Sequence, residues 1–344
     1  MKLWYSFLKD LRLSFKSYYI YLELLIALLF VAVVMFVVPE NLERTMTAYA
    51  RSDDPRISVA WLDEALREDG LVVKPVASDD ELRASLERDR SGIGIRVGVS
   101  GDKPRIEFVL QGYENERLRN MLRTSVETSF ARAMPGFRDS TTVTTLEADP
   151  EILSDRMTML PLFLAMNAGF MGLFIVAAYI FLDKAEGTIK AFAVTPAKVW
   201  HYLAGKLGVI MVTGFLTAFI STALVAGNKA HYLHLAPLLA ATNAFGTALG
   251  LFIASFFDDM TSALGWLFTS IIVLGMAGVS YYMPAFSPLA IRLLPSYPML
   301  FAFRELFLRS PNLGYVYANV GGFTAGAVLL FLLAERRIRR SLTA

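Results

Sequence analysis

The chain has 344 residues, 55% of them hydrophobic and 19% charged, with a mean hydropathy of +0.47. This is more apolar than an ordinary soluble domain, in which about a quarter of residues are charged, and a net charge of +2 excludes the strongly basic field of a nucleic-acid binder. The absence of cysteine excludes disulfides, thiolate catalysis and cysteine-ligated zinc.

The charges are unevenly placed. Residues 39–158 hold 40 of the 64 charged residues, 23 acidic and 17 basic, whereas the other 224 positions carry only 24. A polar, mildly acidic domain therefore interrupts an apolar chain.

In residues 1–18, Leu3, Phe7, Leu11 and Phe15 recur every fourth position, with Lys2, Lys9, Arg12 and Lys16 among them. This period predicts an amphipathic helix lying in the membrane interface, with a frayed N-terminus as the alternative. Residues 19–38 form a first apolar span, ended by Pro39 and interrupted only by Glu23. They are too long for a signal-peptide core, and no small-residue cleavage site follows. Glu23 is a candidate to pair with a basic residue of the N-terminal helix or of a partner protomer.

Residues 39–158 read as a small α/β module. Strands are expected at 56–61, 71–76, 93–99 and 105–110, and helices at 62–69, 78–90 and 115–133. Ser78-Asp79-Asp80-Glu81 is a capping-box pattern that puts Leu82 and Leu86 on one helical face. No carboxylate constellation of an enzyme is present; Asp53-Asp54 and Asp79-Asp80 suit a turn and a helix start.

Five further spans are expected near 160–182, 207–226, 235–257, 262–282 and 313–334. Twelve Lys and Arg flank one side of this topology and four the other, which places both termini in the cytoplasm and the polar domain outside. Asn167 and Asn243 stand alone in spans two and four, either as helix–helix glue or as lining of a substrate path. The segment 183–200 is the most informative. Gly187 breaks span two, Thr188 is placed to cap a short helix with Ile189, Phe192 and Ala193 on its apolar side, and Thr195-Pro196 turns the chain into span three.

Glu-Gly-Thr, six residues, Thr-Pro, then Gly-Lys at the next span resembles the hallmark of ABC-2 type exporter permeases. The order of parts, from interfacial helix to five final spans, extends the resemblance over nearly the whole chain. It implies a mainly α membrane protein of six transmembrane helices, with an extracytoplasmic α/β domain (39–158) between helices 1 (within 1–38) and 2 (opening 159–344). Residues 183–200 would be a coupling helix seated in an ATPase subunit, with Glu186, Gly187, Thr188, Phe192, Thr195 and Pro196 at the contact. It further implies two cytosolic ATPase copies carrying ATP and Mg, a second permease subunit (a copy or a relative), and a bacterial inner-membrane location. Spans one, two and five would line a lateral cleft, for which Asn167, Phe170, Asn243, Trp266 and Met276 are substrate-path candidates.

Residues 283–312, broken by Pro284, Pro288, Pro295, Pro298 and Pro311, suit the family's re-entrant outer helices. Arg304 and Glu305 lie there, and an ordinary external loop with a local ion pair is the competing reading. His231 and His234 read as interface anchors rather than metal ligands, and no metal or cofactor is expected in this chain. The only Gly-Lys pair, Gly205-Lys206, lacks the rest of a phosphate loop, so ATP hydrolysis is expected in the partner and not here. The leading function is export of a hydrophobic or amphipathic, drug-like or lipid-like substrate. A secondary transporter or channel, or a signalling protein with an external sensor, are the alternatives.

Overall fold

The computed structural model describes residues 2–16, 18–40, 46–53, 71–89, 92–100, 103–110, 120, 124, 153–193, 198–284 and 286–343. The chain divides into two units, residues 1–42 with 149–344, and residues 43–148.

The first unit opens with α1 (Lys2–Ser14) and α2 (Tyr18–Phe36). Helix α1 packs one side against the helical unit. It turns Asp10 and Ser14 into the protein, while Trp4, Leu13 and Phe15 stay exposed. Helix α2 is uniformly apolar apart from Glu23, which is the one charged side chain it carries.

The second unit contains β1 (Met46–Ser52), β2 (Leu71–Pro75), α3 (Asp79–Arg88), β3 (Ile93–Ser100) and β4 (Lys103–Val109). Strand order is β2-β1-β3-β4; β1 runs parallel to β2 and β3, and β4 is antiparallel to β3, with Ser100 opposite Lys103. Ser78 Oγ accepts the Glu81 N–H at 3.1 Å and Glu81 accepts the Ala77 N–H at 2.7 Å, so the free amides at the start of α3 are satisfied. Leu82 and Leu86 of α3 are buried with Ala48, Ala50, Ile93 and Ile95 of the sheet. Asp79 does more than offset the helix dipole: it binds Arg51 at 2.7 Å and Arg96 at 3.0 Å, tying α3 to β1 and β3. The Arg51 guanidinium holds the Asp79 carboxyl below its ordinary range. Strand β1 was not expected, because Met46-Thr-Ala-Tyr-Ala-Arg-Ser has no β-branched apolar run. It is an inner strand of the sheet, and Ala48 and Ala50 alternate into the core. The strand expected at 56–61 and the helices expected at 62–69 and 115–133 fall outside the described residues, apart from single helical positions at 120 and 124.

The first unit then resumes with α4 (Asp155–Leu164), a π-helical stretch (Ala165–Met171) and α5 (Gly172–Ala185), which together make one long span. It is followed by α6 (Thr188–Ala193), α7 (Val199–Ala226), α8 (Tyr232–Ala254), α9 (Met260–Gly275), α10 (Ala277–Tyr282), α11 (Leu289–Arg292), α12 (Ser296–Glu305) and α13 (Leu313–Thr343). Among the described residues five helical segments are long and apolar enough to cross a membrane: 155–185, 199–229, 232–254, 260–282 and 313–340. The apolar stretch of α2, Ile20–Phe36, is shorter than these five.

The 155–185 span is the most enclosed of them, and α9 and α13 are the most exposed. Glycines decide the closest approach. A Cβ on Gly246 of α8 would lie 1.5 Å from the Gly169 carbonyl oxygen, and one on Gly250 would lie 2.4 Å from that of Leu173. Backbone-to-backbone contact of this kind is how small residues pack helices in a solvent as apolar as lipid.

Candidate functional site

The turn after α5 is built by one backbone conformation. Gly187 has φ +72°, the left-handed region that glycine enters without a Cβ penalty, and its N–H returns to the Lys184 carbonyl at 3.2 Å. Helix α6 starts at Thr188 itself, and its first turn closes from Ala191 N–H to Gly187 O at 3.0 Å. Thr188 is therefore the first helical residue rather than the cap, and Gly187 holds the cap position. Ile189 is buried against α5 and α7, and the Phe192 ring packs on Tyr202 at 5.4 Å. Glu186 remains exposed. Thr195 and Pro196 lie outside the described residues.

Beneath this turn sits an ionic cluster that joins three elements. Lys206 of α7 binds Asp183 of α5 at 2.8 Å and approaches Asp10 of α1 at 3.8 Å. The Tyr202 hydroxyl donates to the same Asp183 carboxylate, and Lys206 lies 4.9 Å from the Tyr179 ring centre. All four polar side chains are buried. Burial pushes the Asp10 carboxyl above its ordinary range, against the pull of Lys206 and Lys9. Asp183 and Lys206 flank the Glu-Gly-Thr motif in sequence; their pairing is a tertiary contact that spacing alone does not show. Asp10 carried one available signal, as the lone acid among the cations of an amphipathic helix.

The next residue, Lys184, points the other way. Its ammonium donates to the Ala254 carbonyl at 3.3 Å and to the Phe257 carbonyl, satisfying free carbonyls at the C-terminus of α8. Arg337 of α13 completes the cap on Ser255 O at 3.2 Å and covers the Phe256 ring at 3.9 Å. The turn is thus fastened through consecutive residues, Asp183 and Lys184, to α7 on one side and α8 on the other.

Above Lys184 a groove of about 870 Å³ opens between α2, α5 and α9. Leu22, Met171, Phe174, Phe181, Met260 and Phe268 line it, with Asp258 and Asp259 at one end, and Phe174 meets Phe268 edge-on at 5.0 Å. The residues singled out as a substrate path are not gathered here. Phe170 is fully buried in the helical core and does not line the groove. Trp266 (63% exposed) and Met276 lie on the outer surface of α9 and of its junction with α10.

Asn167 and Asn243 are buried inside the bundle with Glu23. Thr217 of α7 lies 3.0 Å from Asn167 Oδ1 and 3.3 Å from Glu23 Oε1, and Asn243 accepts from Thr247 at 3.3 Å. Gly214 creates the space: a Cβ there would stand 2.1 Å from Asn243 Nδ2 and 3.5 Å from Glu23 Oε1. Among the described residues Glu23 pairs with no base of α1. Lys206, 3.8 Å from Asp10 of α1, is held by Asp183 at 2.8 Å. The π-helical stretch that places Asn167 has no simple sequence period and was not anticipated.

At the far end, His231 binds the Leu308 carbonyl and His234 the Tyr317 hydroxyl, each at 2.9 Å, so both rings fasten α8 to the chain around α12 and α13. Glu305 accepts the Asn312 N–H at 2.8 Å and forms no ion pair with Arg304 among the described residues. The 283–312 segment does contain two short helices, α11 and α12, and α12 is packed into the core through Met299, Leu300 and Phe303.

Long apolar helices, close glycine crossings and a fastened turn between two spans define a multi-pass membrane protein. Comparison with known proteins narrows the class: the family described as ABC-2 family transporter protein matches residues 16–335, and the chain belongs to that family. Among its relatives are the fluoroquinolones export permease proteins of two Mycobacterium tuberculosis strains, CDC 1551 / Oshkosh and ATCC 25618 / H37Rv. Each is 31% identical over 128 residues, which is 37% of this chain and 52% of the relative. The chain thus matches about half the length of these relatives.

Proposed function

We propose that the chain is the permease subunit of an ATP-driven exporter of hydrophobic or amphipathic, drug-like or lipid-like compounds. It works with two separate ATPase subunits that hold ATP and Mg, and with a second permease chain. The carrying observation is the Glu186-Gly187-Thr188 turn, whose exposed carboxylate and short helix rest on residues fixed to α1, α7 and α8. A push on α6 is passed to the span bundle because its supports are buried ion pairs and packed rings rather than a loose loop. The export permease relatives support a drug-like cargo, and the apolar groove supports a hydrophobic one. With α2 as a sixth span, both termini are cytoplasmic in a bacterial inner membrane and residues 43–148 lie outside.

The test uses everted vesicles containing the full chain and its ATPase subunits. ATP-driven uptake of hydrophobic dyes is expected to fall at least fivefold in Glu186→Ala and in Gly187→Val, with insertion unchanged. No neighbouring atom lies within 4 Å of a Cβ at Gly187, so valine there strains only the backbone. Uptake that follows a proton gradient and ignores ATP would replace this reading with secondary transport. The topology is checked separately: single cysteines at Ser100 and Ser341 are expected to label from opposite sides of the membrane, and labelling from one side would overturn the six-span arrangement.

A further inference from the structure

The groove between α2, α5 and α9 is apolar along most of its length, and the charged residues of its lining are Lys184, Asp258 and Asp259. They are not equally engaged. The Lys184 ammonium is committed to the Ala254 and Phe257 carbonyls, where it offsets the negative end of α8. Asp259 caps α9 by accepting the Ser262 N–H at 2.9 Å, and that bond holds its carboxyl below the ordinary range. Asp258 is exposed and interacts with Lys184 through charge alone; it makes no hydrogen bond or ion pair with any described residue.

Two carboxylates therefore face one ammonium that is already held elsewhere, and this end of the groove is negative. The cations around it do not change that sign. Arg337 is held on Ser255 O and over the Phe256 ring, and Lys206 is held by Asp183. An enclosed acid would shed its charge by taking up a proton, but Asp258 and Asp259 are both open to water, where a carboxylate is ionised at neutral pH.

Their place in the chain matters as much as their charge. Asp258 and Asp259 directly precede the 260–282 span, and Lys184 lies in the last turn of the 155–185 span. The groove thus has an apolar length between spans and a charged mouth at their ends. An anionic amphiphile would bring its head against two carboxylates, and a neutral one would use the length without the mouth. A cationic one uses both. The walls favour an aromatic body over an acyl chain: Phe174 meets Phe268 edge-on at 5.0 Å, and such ring contacts add to plain apolar burial. The volume, about 870 Å³, falls within the range of small-molecule sites.

We propose that the α2–α5–α9 groove binds a lipophilic organic cation with an aromatic body, which lies along Phe174 and Phe268 while its cationic centre sits at Asp258 and Asp259. The proposal rests on the export reading and narrows its cargo.

The test measures equilibrium binding of tetraphenylphosphonium, and of the similarly shaped anion tetraphenylborate, to the full chain in phosphatidylcholine nanodiscs. Binding to empty nanodiscs is subtracted. Asp258→Asn combined with Asp259→Asn removes both charges and keeps α9 capped, because asparagine caps as well as aspartate. This double variant is expected to bind tetraphenylphosphonium at least fivefold more weakly and tetraphenylborate no more weakly. Phe268→Ala, which truncates an exposed ring, is expected to weaken both ions. The unaltered chain gives a readout free of any folding defect: added salt should weaken its binding of tetraphenylphosphonium and not of tetraphenylborate, since exposed charges are screened. Unchanged cation affinity in the double variant, equal loss of both ions there, or salt-insensitive cation binding by the unaltered chain overturns the proposal. So does unchanged binding of both ions in Phe268→Ala, which would put them outside the groove, or cation binding no stronger than to empty nanodiscs, which would leave the groove to lipid. These readouts need no ATPase. ATP-independent transport would end the export reading without touching them, and loss of the cation preference would end only this inference.

Discussion

Gly246→Ala is expected to abolish the native bundle, the largest effect of a single added methyl group among the described glycines. The added Cβ would sit 1.5 Å from the Gly169 carbonyl oxygen and 2.5 Å from its carbon, both backbone atoms that no rotamer change can move. Ordinary overpacking of a core costs about 1–3 kcal/mol, when side chains can yield. Here α8 must separate from the 155–185 span, which also loosens Gly250 from Leu173 and shifts the Asn167 stretch. Thermal unfolding in detergent should show little folded Gly246→Ala protein under conditions where wild type is intact. Gly265→Ala is the control. It has open space at Cβ, and helix propensity alone predicts a gain of up to about 1 kcal/mol. Equal stability of wild type and Gly246→Ala would show that the helices do not cross backbone to backbone.

Lys206→Met should be nearly as damaging, for a different reason. It removes the only cation bound to Asp183 among the described residues and leaves Asp10 with Lys9 at 3.7 Å. Removing one partner of a buried pair typically costs about 3–5 kcal/mol, because the remaining charge stays desolvated. Asp183→Asn combined with Lys206→Met should recover a large part of that loss, since a neutral pair needs no counter-charge. The pH dependence has a definite sign. The folded state holds the Asp10 proton more tightly than the unfolded chain, so acidification favours folding through this group, and the Lys206→Met deficit should narrow as pH falls. Denaturation midpoints of the three proteins across pH 5 to pH 8 would check both claims. A Lys206→Met protein as stable as wild type would mean that the cluster is solvated.

Much of the helical unit was legible because lipid imposes a simple rule: long apolar runs must be helical, and charge must sit between them. The chain-breaking role of Gly187 was legible for the same kind of local reason, since φ +72° favours one residue type. The burial of Phe170 in the core and the exposure of Trp266 and Met276 were not legible. Spacing along a uniformly apolar helix carries no information about which face meets protein and which meets lipid.

By itself, the sequence determined the membrane class, the apolar spans, the polar insert and the turn at Glu186-Gly187-Thr188, all of which depend on composition and short-range backbone rules. Tertiary structure alone decided that Lys206 joins Asp183 and Asp10, that Lys184 caps α8, and that Thr217 meets Glu23, 194 positions before it, and Asn167, 50 positions before it. Those contacts depend on helix rotation and crossing, which are set by glycines such as Gly169, Gly214 and Gly246 meeting neighbours far away in the chain. No local period encodes such meetings, and they are where the charges of this protein find, or lack, their partners.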